Sequence, residues 1–198
     1  MPSMSSEIPR LAATVTTSVK IVVAGRFGVG KTTFIGSVSE ITPLSTEAVM
    51  TDYGRGIDDL AGGTDKTTTT VAMDFGRRTL GDDIVLYLFG APGQERFQGF
   101  VDDLMIGALG GIVLADTRDI EASFEHITRF EKTGTPFAVA VNTFPATPDY
   151  SDTELREALA VPADTPLVHC DARDTASAKH VLIALVGHIM TQHPAESR

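Results

Sequence analysis

The sequence has one cysteine, fewer basic than acidic residues and no signal-like hydrophobic segment near its start. The lone Cys170 cannot form an internal disulfide, which favours a reducing cytoplasm. The formal net charge of −10 argues against nucleic acid or an anionic membrane as a general partner, because both attract basic surfaces. Residues 1–18 are rich in Ser, Thr and Pro and lack an apolar core. We therefore expect a flexible tail there, no direct membrane insertion, and a partner wherever the protein is recruited to a membrane.

The most informative stretch is residues 25–32, GRFGVGKT, which fits the pattern G-x-x-x-x-G-K-[ST]. It follows a β-branched run at 19–24, which predicts a buried strand before the glycine loop and a helix after it. The glycines let backbone N–H groups surround an anion, and the helix end adds positive potential. Lys31 can then reach the β- and γ-phosphates, and the Thr32 hydroxyl can ligate Mg²⁺. Nucleotide binding is thus favoured over a purely structural glycine turn, which rarely carries Lys-Thr at this spacing.

Hydrophobic periodicity along the rest of the chain predicts a single α/β domain. Continuously apolar strands that alternate with amphipathic helices are typical of a mostly parallel sheet covered on both faces. Residues 42–65 have no sustained period, and their prolines and glycines predict a long irregular segment. Phe124, Ile127 and Phe130 are expected on one helix face, and residues 151–154 form a capping box. The predicted strands are 19–24, 66–76, 84–89, 111–116, 136–141 and 166–169; the predicted helices are 32–38, a segment ending near 107, 120–132, 151–160 and one capped by Asp174 or Thr175.

Several long motifs in the same order resemble the Ras-like small GTPases, and more closely their MglA-related branch encoded in actinobacterial conservons. The motifs are FGVGKTT at 27–33, TTTVAMDFG at 68–76, LFGAPGQERF at 88–97 and CDARD at 170–174. The resemblance implies a three-layer P-loop NTPase (Ras-like) fold with a six-stranded, mostly parallel sheet and helices on both faces. It places the GTPase domain at 19–191, between a tail at 1–18 and a tail at 192–198.

The same resemblance implies a cytoplasmic switch that binds GTP or GDP with Mg²⁺ and hydrolyses GTP slowly in bacterial signalling. Residues 42–70 would be switch I, and residues 90–103 would be switch II. A roadblock-type regulatory protein and other signalling proteins are the implied partners.

Individual residues carry over from the motifs they match. Lys31 and Gln94 are the implied catalytic residues, Gln94 as the amide that orients the attacking water. Thr32 and one of the threonines at 67–70, with Thr68 favoured, are the implied Mg²⁺ ligands. Ser177-Ala178-Lys179 is not the base-binding loop, because a helix interior commits its backbone N–H groups. The implied nucleotide contacts are Phe27, Gly28, Val29, Gly30, Lys31, Thr32, Thr33, Gly93, Asn142, and the loop Asp171, Ala172 and Arg173, whose backbone is expected to contact the guanine carbonyl.

The chain departs from the Ras-like pattern at the Mg²⁺ site and beside the γ-phosphate. Gly90 stands where the pattern has an aspartate, so we expect Mg²⁺ to lack its usual carboxylate support. Phe27 replaces a frequent glycine near the γ-phosphate and is expected to crowd the path of a partner's arginine. Arg26 or Lys66 could supply that positive charge from within the chain.

A third departure concerns the base. Residues 142–145 read NTFP and lack the lysine and the aspartate of Asn-Lys-x-Asp, so selectivity for guanine is expected to fall. Asp149 could take the aspartate's role, or it could be an ordinary surface acid.

Two other functions remain open at this stage. One is a pseudo-GTPase scaffold with weakened guanine selectivity, which Gly90 and Pro145 favour. The other is an ATP-binding P-loop protein, an ATPase or a small-molecule kinase, which Pro145 permits, although no lid or second substrate site is recognisable.

Overall fold

The computed structural model describes residues 11–50, 69–93, 97–145 and 147–192, and strands and helices alternate along them. A short 3₁₀ helix at Ile120–Ser123 precedes the third α-helix. The strands are β1 (Thr17–Ala24), β2 (Leu44–Met50), β3 (Thr69–Leu80), β4 (Ile84–Gly90), β5 (Gly110–Ala115), β6 (Phe137–Asn142) and β7 (Leu167–Cys170). The helices are α1 (Lys31–Val38), α2 (Gln98–Met105), α3 (Phe124–Thr133), α4 (Asp152–Leu159) and α5 (Thr175–Gln192).

All strands join one sheet in the order β2-β3-β4-β1-β5-β6-β7. The pairs β1–β4, β1–β5, β5–β6 and β6–β7 are parallel, whereas β2–β3 and β3–β4 are antiparallel. The predicted mostly parallel α/β fold is therefore confirmed, and each of the six predicted strands is present. The sheet gains a seventh strand because β2 lies in the segment predicted to be irregular and pairs with β3 along its whole length.

Successive residues of the central strands point to opposite faces of the sheet and create two cores. On one face, Ile21 and Val23 of β1 pack in a cluster with residues of α1 and α5. On the other face, Val22 of the same strand packs with residues of α2, α3 and α4. The predicted three layers, a sheet between two helical layers, follow from this alternation.

The predicted caps of α4 and α5 are present in the structure. The capping box at α4 is present, since the Ser151 side chain accepts from the Glu154 N–H and Glu154 accepts from the Ser151 N–H. Asp174 caps α5, because its carboxylate accepts from the Ser177 N–H at 2.6 Å. Phe124, however, is 41% exposed and does not share the buried face of α3, since at about 100° per residue this first residue of the helix lies about 120° away from Phe130 around the axis.

The first strand starts slightly earlier than the predicted strand at 19–24. Strand β1 begins at Thr17, and the N–H groups of Thr16 and Thr17 both donate to the Asp83 carbonyl in the turn between β3 and β4. Within the described residues, no helix is both long and apolar enough to cross a membrane.

Candidate functional site

The glycine loop connects β1 to α1 at the carboxyl end of a central strand, where ligands bind in open α/β sheets. Gly30 caps α1 with φ of 107°, a conformation that L side chains rarely adopt. A Cβ at Gly30 would lie 2.8 Å from the amide nitrogen of Asn142. Glycine is therefore required here both by the backbone and by the close approach of the loop that follows β6.

Lys31 crosses the glycine loop from the first turn of α1. Its Nζ donates to the carbonyls of Gly25 at 2.7 Å and Arg26 at 2.8 Å. Burial lowers the pKa of Lys31 to about 8, against an opposing contribution from the negative charge of Asp74. The ammonium group is thus held inside the curve of the loop, where a phosphate group would meet it.

Gly90 stands where the Ras-like pattern has an aspartate, and Asp74 on the neighbouring strand places a carboxylate at that point. The Thr32 hydroxyl donates to Asp74 Oδ2 at 2.6 Å. Asp74 lies directly opposite Gly90 in the antiparallel β3–β4 pair, and a Cβ at Gly90 would lie 3.1 Å from the Asp74 Cβ. The neighbouring strand therefore places a carboxylate beside the Thr32 hydroxyl, at the position where Gly90 offers none.

Sequence reasoning missed Asp74, although the chain carries a signal for it. Gly81, Asp82 and Asp83 form the turn between β3 and β4, and counting the same number of residues back from this turn as forward to Gly90 reaches Asp74. Because the two positions are directly opposed, the Asp74 side chain lies on the same face of the sheet as a side chain at position 90 would. Thr68, the favoured second Mg²⁺ ligand, lies outside the described residues.

The segment after β4 approaches the glycine loop closely. A Cβ at Gly93 would overlap the Phe27 amide nitrogen and lie 2.6 Å from the Arg26 carbonyl carbon, so no larger residue fits at this contact. Phe27 itself is 74% exposed, with its ring in solvent beside this contact. Gln94, the predicted water-orienting residue, lies outside the described residues.

Arg26 does not point toward the phosphate side of the loop. Its guanidinium donates to Asp119 at 2.8 Å and to Asp116 at 3.2 Å. The buried carboxylate of Asp116 also accepts from Arg118, whose hydrogen bonds lower the pKa of Asp116. Arg118 in turn stacks on the ring of Phe144 at 3.8 Å. In this conformation Arg26 is committed to an ion-pair network, while Lys66, the other suggested source of charge, lies outside the described residues.

Asn142 joins the glycine loop to the loops that follow β6 and β7. It is 6% exposed, its Nδ2 donates to the Val29 carbonyl at 2.9 Å, and its Oδ1 accepts from the Ala172 N–H at 3.0 Å. The tie to the glycine loop is the one that the resemblance implies. The bond to Ala172 was not expected, because that N–H was assigned to a guanine carbonyl.

A cavity of about 200 Å³ lies between these loops, and we call it the base cavity. It is lined by Gly28, Gly30, Thr33, Asn142, Thr143, Phe144, Pro145, Asp171, Ala172 and Arg173. Asp149 does not line it. That residue lines a separate cavity of about 310 Å³, together with Thr117, Tyr150 and His169, which shares the wall formed by residues 142–144. The suggested substitution of Asp149 for the missing aspartate therefore lacks support from its position.

The sequence Ser177-Ala178-Lys179 lies inside α5, as predicted, and Ala178 is fully buried. Ser177 nevertheless stabilises the loop that lines the base cavity, since its hydroxyl accepts from the Asp171 N–H at 3.0 Å.

Comparison with known proteins agrees with this arrangement. The chain matches, over residues 23–192, the model of a family described as conserved hypothetical ATP binding protein. Among solved structures it resembles the G domain of the FeoB iron transporter of T. maritima, with a TM-score of 0.60 and 18% sequence identity, over 86% of this chain and 98% of that one. At that identity the likeness concerns the fold. No curated protein matches the chain.

Proposed function

This chain belongs to the family of conserved hypothetical ATP binding proteins, and we propose that within it the protein is a GTP- and GDP-binding switch that hydrolyses GTP slowly. The observation that carries the proposal is the convergence of Lys31, the Thr32–Asp74 pair and the Asn142-tied base cavity at one edge of the sheet. The Lys31 ammonium group would meet the phosphates, the Thr32 and Asp74 oxygens would meet the accompanying metal ion, and the cavity would hold the base of a nucleoside triphosphate.

The donor set fits Mg²⁺ as the accompanying ion. Thr32 and Asp74 place a hydroxyl and a carboxylate oxygen 2.6 Å apart, and Mg²⁺ prefers oxygen ligands. The described residues hold no group of three or more His, Cys, Asp or Glu that could bind a metal ion, so the protein would share the ion with phosphate oxygens and water. Mg²⁺ would neutralise phosphate charge at this point.

Hydrolysis then depends on a few groups of this chain. Lys31 stabilises negative charge on the phosphates, and Gln94, as the resemblance implies, orients the attacking water. Arg26 is held by Asp116 and Asp119, so in this conformation its guanidinium is not offered to the γ-phosphate. Slow turnover without a regulator is the expected consequence.

We further propose that the protein belongs to the MglA-related branch and acts as a cytoplasmic signalling switch under a roadblock-type regulator. The motifs at 27–33, 68–76, 88–97 and 170–174 support it. Membrane recruitment, where it occurs, is proposed to depend on a partner.

The family description favours ATP as a second candidate, since Pro145 removes the usual acid for guanine. The nucleotide that copurifies with the protein, identified by chromatography after denaturation, separates the two candidates. We expect guanine nucleotide, and we expect calorimetry to give tighter binding of GDP than of ADP. Adenine nucleotide in both measurements would support the family description instead, and the absence of any binding would support a nucleotide-free scaffold.

Two variants test the roles assigned to the site. Lys31→Ala is expected to abolish nucleotide binding, because it removes the ammonium group that lies inside the curve of the loop. Gln94→Leu is expected to slow single-turnover GTP hydrolysis and leave the GDP affinity nearly unchanged, because the amide acts on the transition state. Equal hydrolysis rates in parent and Gln94→Leu would remove Gln94 from catalysis.

A further inference from the structure

The base cavity contains one carboxylate among its described lining residues, that of Asp171. Asp171 follows β7 directly, and Pro145 is reached through the loop after the neighbouring strand β6. The two loops leave the sheet side by side, since Asn142 pairs with Cys170 and the Thr143 N–H donates to the Cys170 carbonyl at 2.7 Å. An acid on the second loop therefore lies in the cavity where the first loop has lost one.

We propose that the Asp171 carboxylate reads the guanine base, in place of the aspartate that Pro145 displaces. This inference rests on the proposed function, because it concerns how a guanine nucleotide is told from other nucleotides. The two backbone N–H groups that follow Asp171 are already engaged: the Ala172 N–H donates to Asn142, and the Arg173 N–H donates to Asp171 Oδ1 at 2.9 Å. The Asp171 carboxylate is an acceptor that lines the same cavity, and in this structure the Arg173 side chain occupies it.

Arg173 demonstrates that the carboxylate can receive two parallel donors. Its Nε donates to Asp171 Oδ1 at 2.9 Å and its Nη2 donates to Oδ2 at 2.8 Å. These hydrogen bonds lower the pKa of Asp171 to about 2, so the group is an anion at neutral pH. The Asp171 N–H is fixed by Ser177, which holds the start of the loop in place.

Guanine offers two parallel N–H donors, as the Arg173 side chain does through Nε and Nη2. Its ring N1–H and its exocyclic amino N–H flank one carbon and point in the same direction, as the two N–H groups of a guanidinium do. Adenine presents an acceptor at N1 and no donor at C2, so it cannot pair with a carboxylate in this way. Because the Arg173 side chain is 66% exposed, its ion pair with Asp171 is weakly held and guanine can replace it.

The test compares Asp171→Asn with the parent for binding of GDP, ADP and xanthosine diphosphate by calorimetry. An amide accepts from N1–H but turns an N–H toward the position of the guanine amino group, where xanthine has a carbonyl. We expect GDP affinity to fall about ten- to hundredfold and xanthosine diphosphate affinity to rise, so that their ratio reverses. ADP affinity is expected to stay constant and so reports that the fold is intact.

The matched control is Asp149→Asn, which alters the acid of the neighbouring cavity and is expected to leave every ratio at the parent value.

The outcomes separate this inference from the proposed function. A parent protein that prefers ADP to GDP overturns both. A parent that prefers GDP, with a GDP to xanthosine diphosphate ratio that Asp171→Asn leaves unchanged, overturns the role of Asp171 alone. A ratio that reverses in Asp149→Asn instead would move base recognition to the neighbouring cavity.

Discussion

Asp74 on β3 places its carboxylate beside the opposing position on β4. The β4 position opposite it is Gly90, which has no side chain, and the Asp74 carboxylate reaches the Thr32 hydroxyl across that gap. In an antiparallel pair, directly opposed residues project to the same face with Cβ atoms a few ångströms apart. An acid on either strand can therefore serve the same ion.

At this scale we predict that Asp74→Asn weakens the Mg²⁺ dependence of nucleotide binding. The amide keeps the size of the side chain but loses its charge, and a hydrogen bond to a charged group contributes about 1.5–3 kcal/mol. The Mg²⁺ concentration that half-maximally slows GDP release is expected to rise at least about tenfold. The measurement is the release rate of a fluorescent GDP analogue during a Mg²⁺ titration.

Asp82→Asn, in the exposed turn of the same hairpin, is the matched control and is expected to behave as the parent. The double variant Asp74→Gly with Gly90→Asp returns the carboxylate to β4 and is expected to restore the parent Mg²⁺ dependence. A parent-like titration in Asp74→Asn would show that this carboxylate does not support the ion.

At the scale of single elements, α4 depends on its first turn more than on its length. It spans Asp152–Leu159 and buries Leu155 and Leu159, while the Ser151 and Glu154 side chains satisfy N–H groups at its start. Short helices are marginal without such caps, because few intrahelical bonds offset the cost of nucleation.

We predict that Ser151→Ala lowers the free energy of unfolding by about 1 kcal/mol, the usual cost of losing a side-chain cap. Urea denaturation followed by circular dichroism measures the change. Ser151→Asp keeps an acceptor at the cap and is expected to retain most of the stability. Glu157→Ala, on the exposed face of the same helix, is expected to change stability by less than about 0.5 kcal/mol. Equal losses in the alanine variants would assign the effect to the helix surface.

The sequence predicts elements well where the signal is local. The apolar runs of β1, β5 and β6 and the capping box of α4 identify themselves within a few residues. Strand β2 does not, because Leu44–Met50 becomes a strand through its pairing with the distant β3.

The candidate site divides in the same way. Lys31 and Thr32 follow from a contiguous motif, whereas the positions of Asp74 and Asp171 depend on strand register and on how two loops leave the sheet. A sequence pattern does not show which distant residues lie side by side in the fold, so these two positions could not be predicted from it.

At the scale of the whole molecule, the layered fold brings the site together from separate parts of the chain. The glycine loop, Asp74 and the loops after β6 and β7 belong to strands that end at, or pair beside, the same edge of the sheet. The FeoB G domain has a similar overall fold at 18% identity, so the fold tolerates extensive change of sequence. The fold fixes where the site lies, and individual side chains decide what it reads.

A buried histidine in the helical layer formed by α2, α3 and α4 is expected to make the stability of the domain sensitive to acid. His126 on α3 is buried, and its Nδ1 has no hydrogen-bond partner within the part of the chain that the structure describes. Burial, together with the positive charges of Lys31 and Arg129, lowers the pKa of His126 from 6.5 to about 4. The folded protein keeps this ring neutral at a pH where the unfolded chain would protonate it.

We therefore predict that the domain loses stability as the pH falls from about 6.5 toward 4, because the unfolded state binds one more proton over that range. The contribution of His126 by pH 5 is about 2 kcal/mol. His126→Leu, which cannot titrate, is expected to lose less stability than the parent between pH 7 and pH 5 in urea denaturation. His180→Leu, an exposed histidine on α5, is the matched control and is expected to follow the parent. Parallel losses in parent and His126→Leu would place the acid sensitivity in other groups.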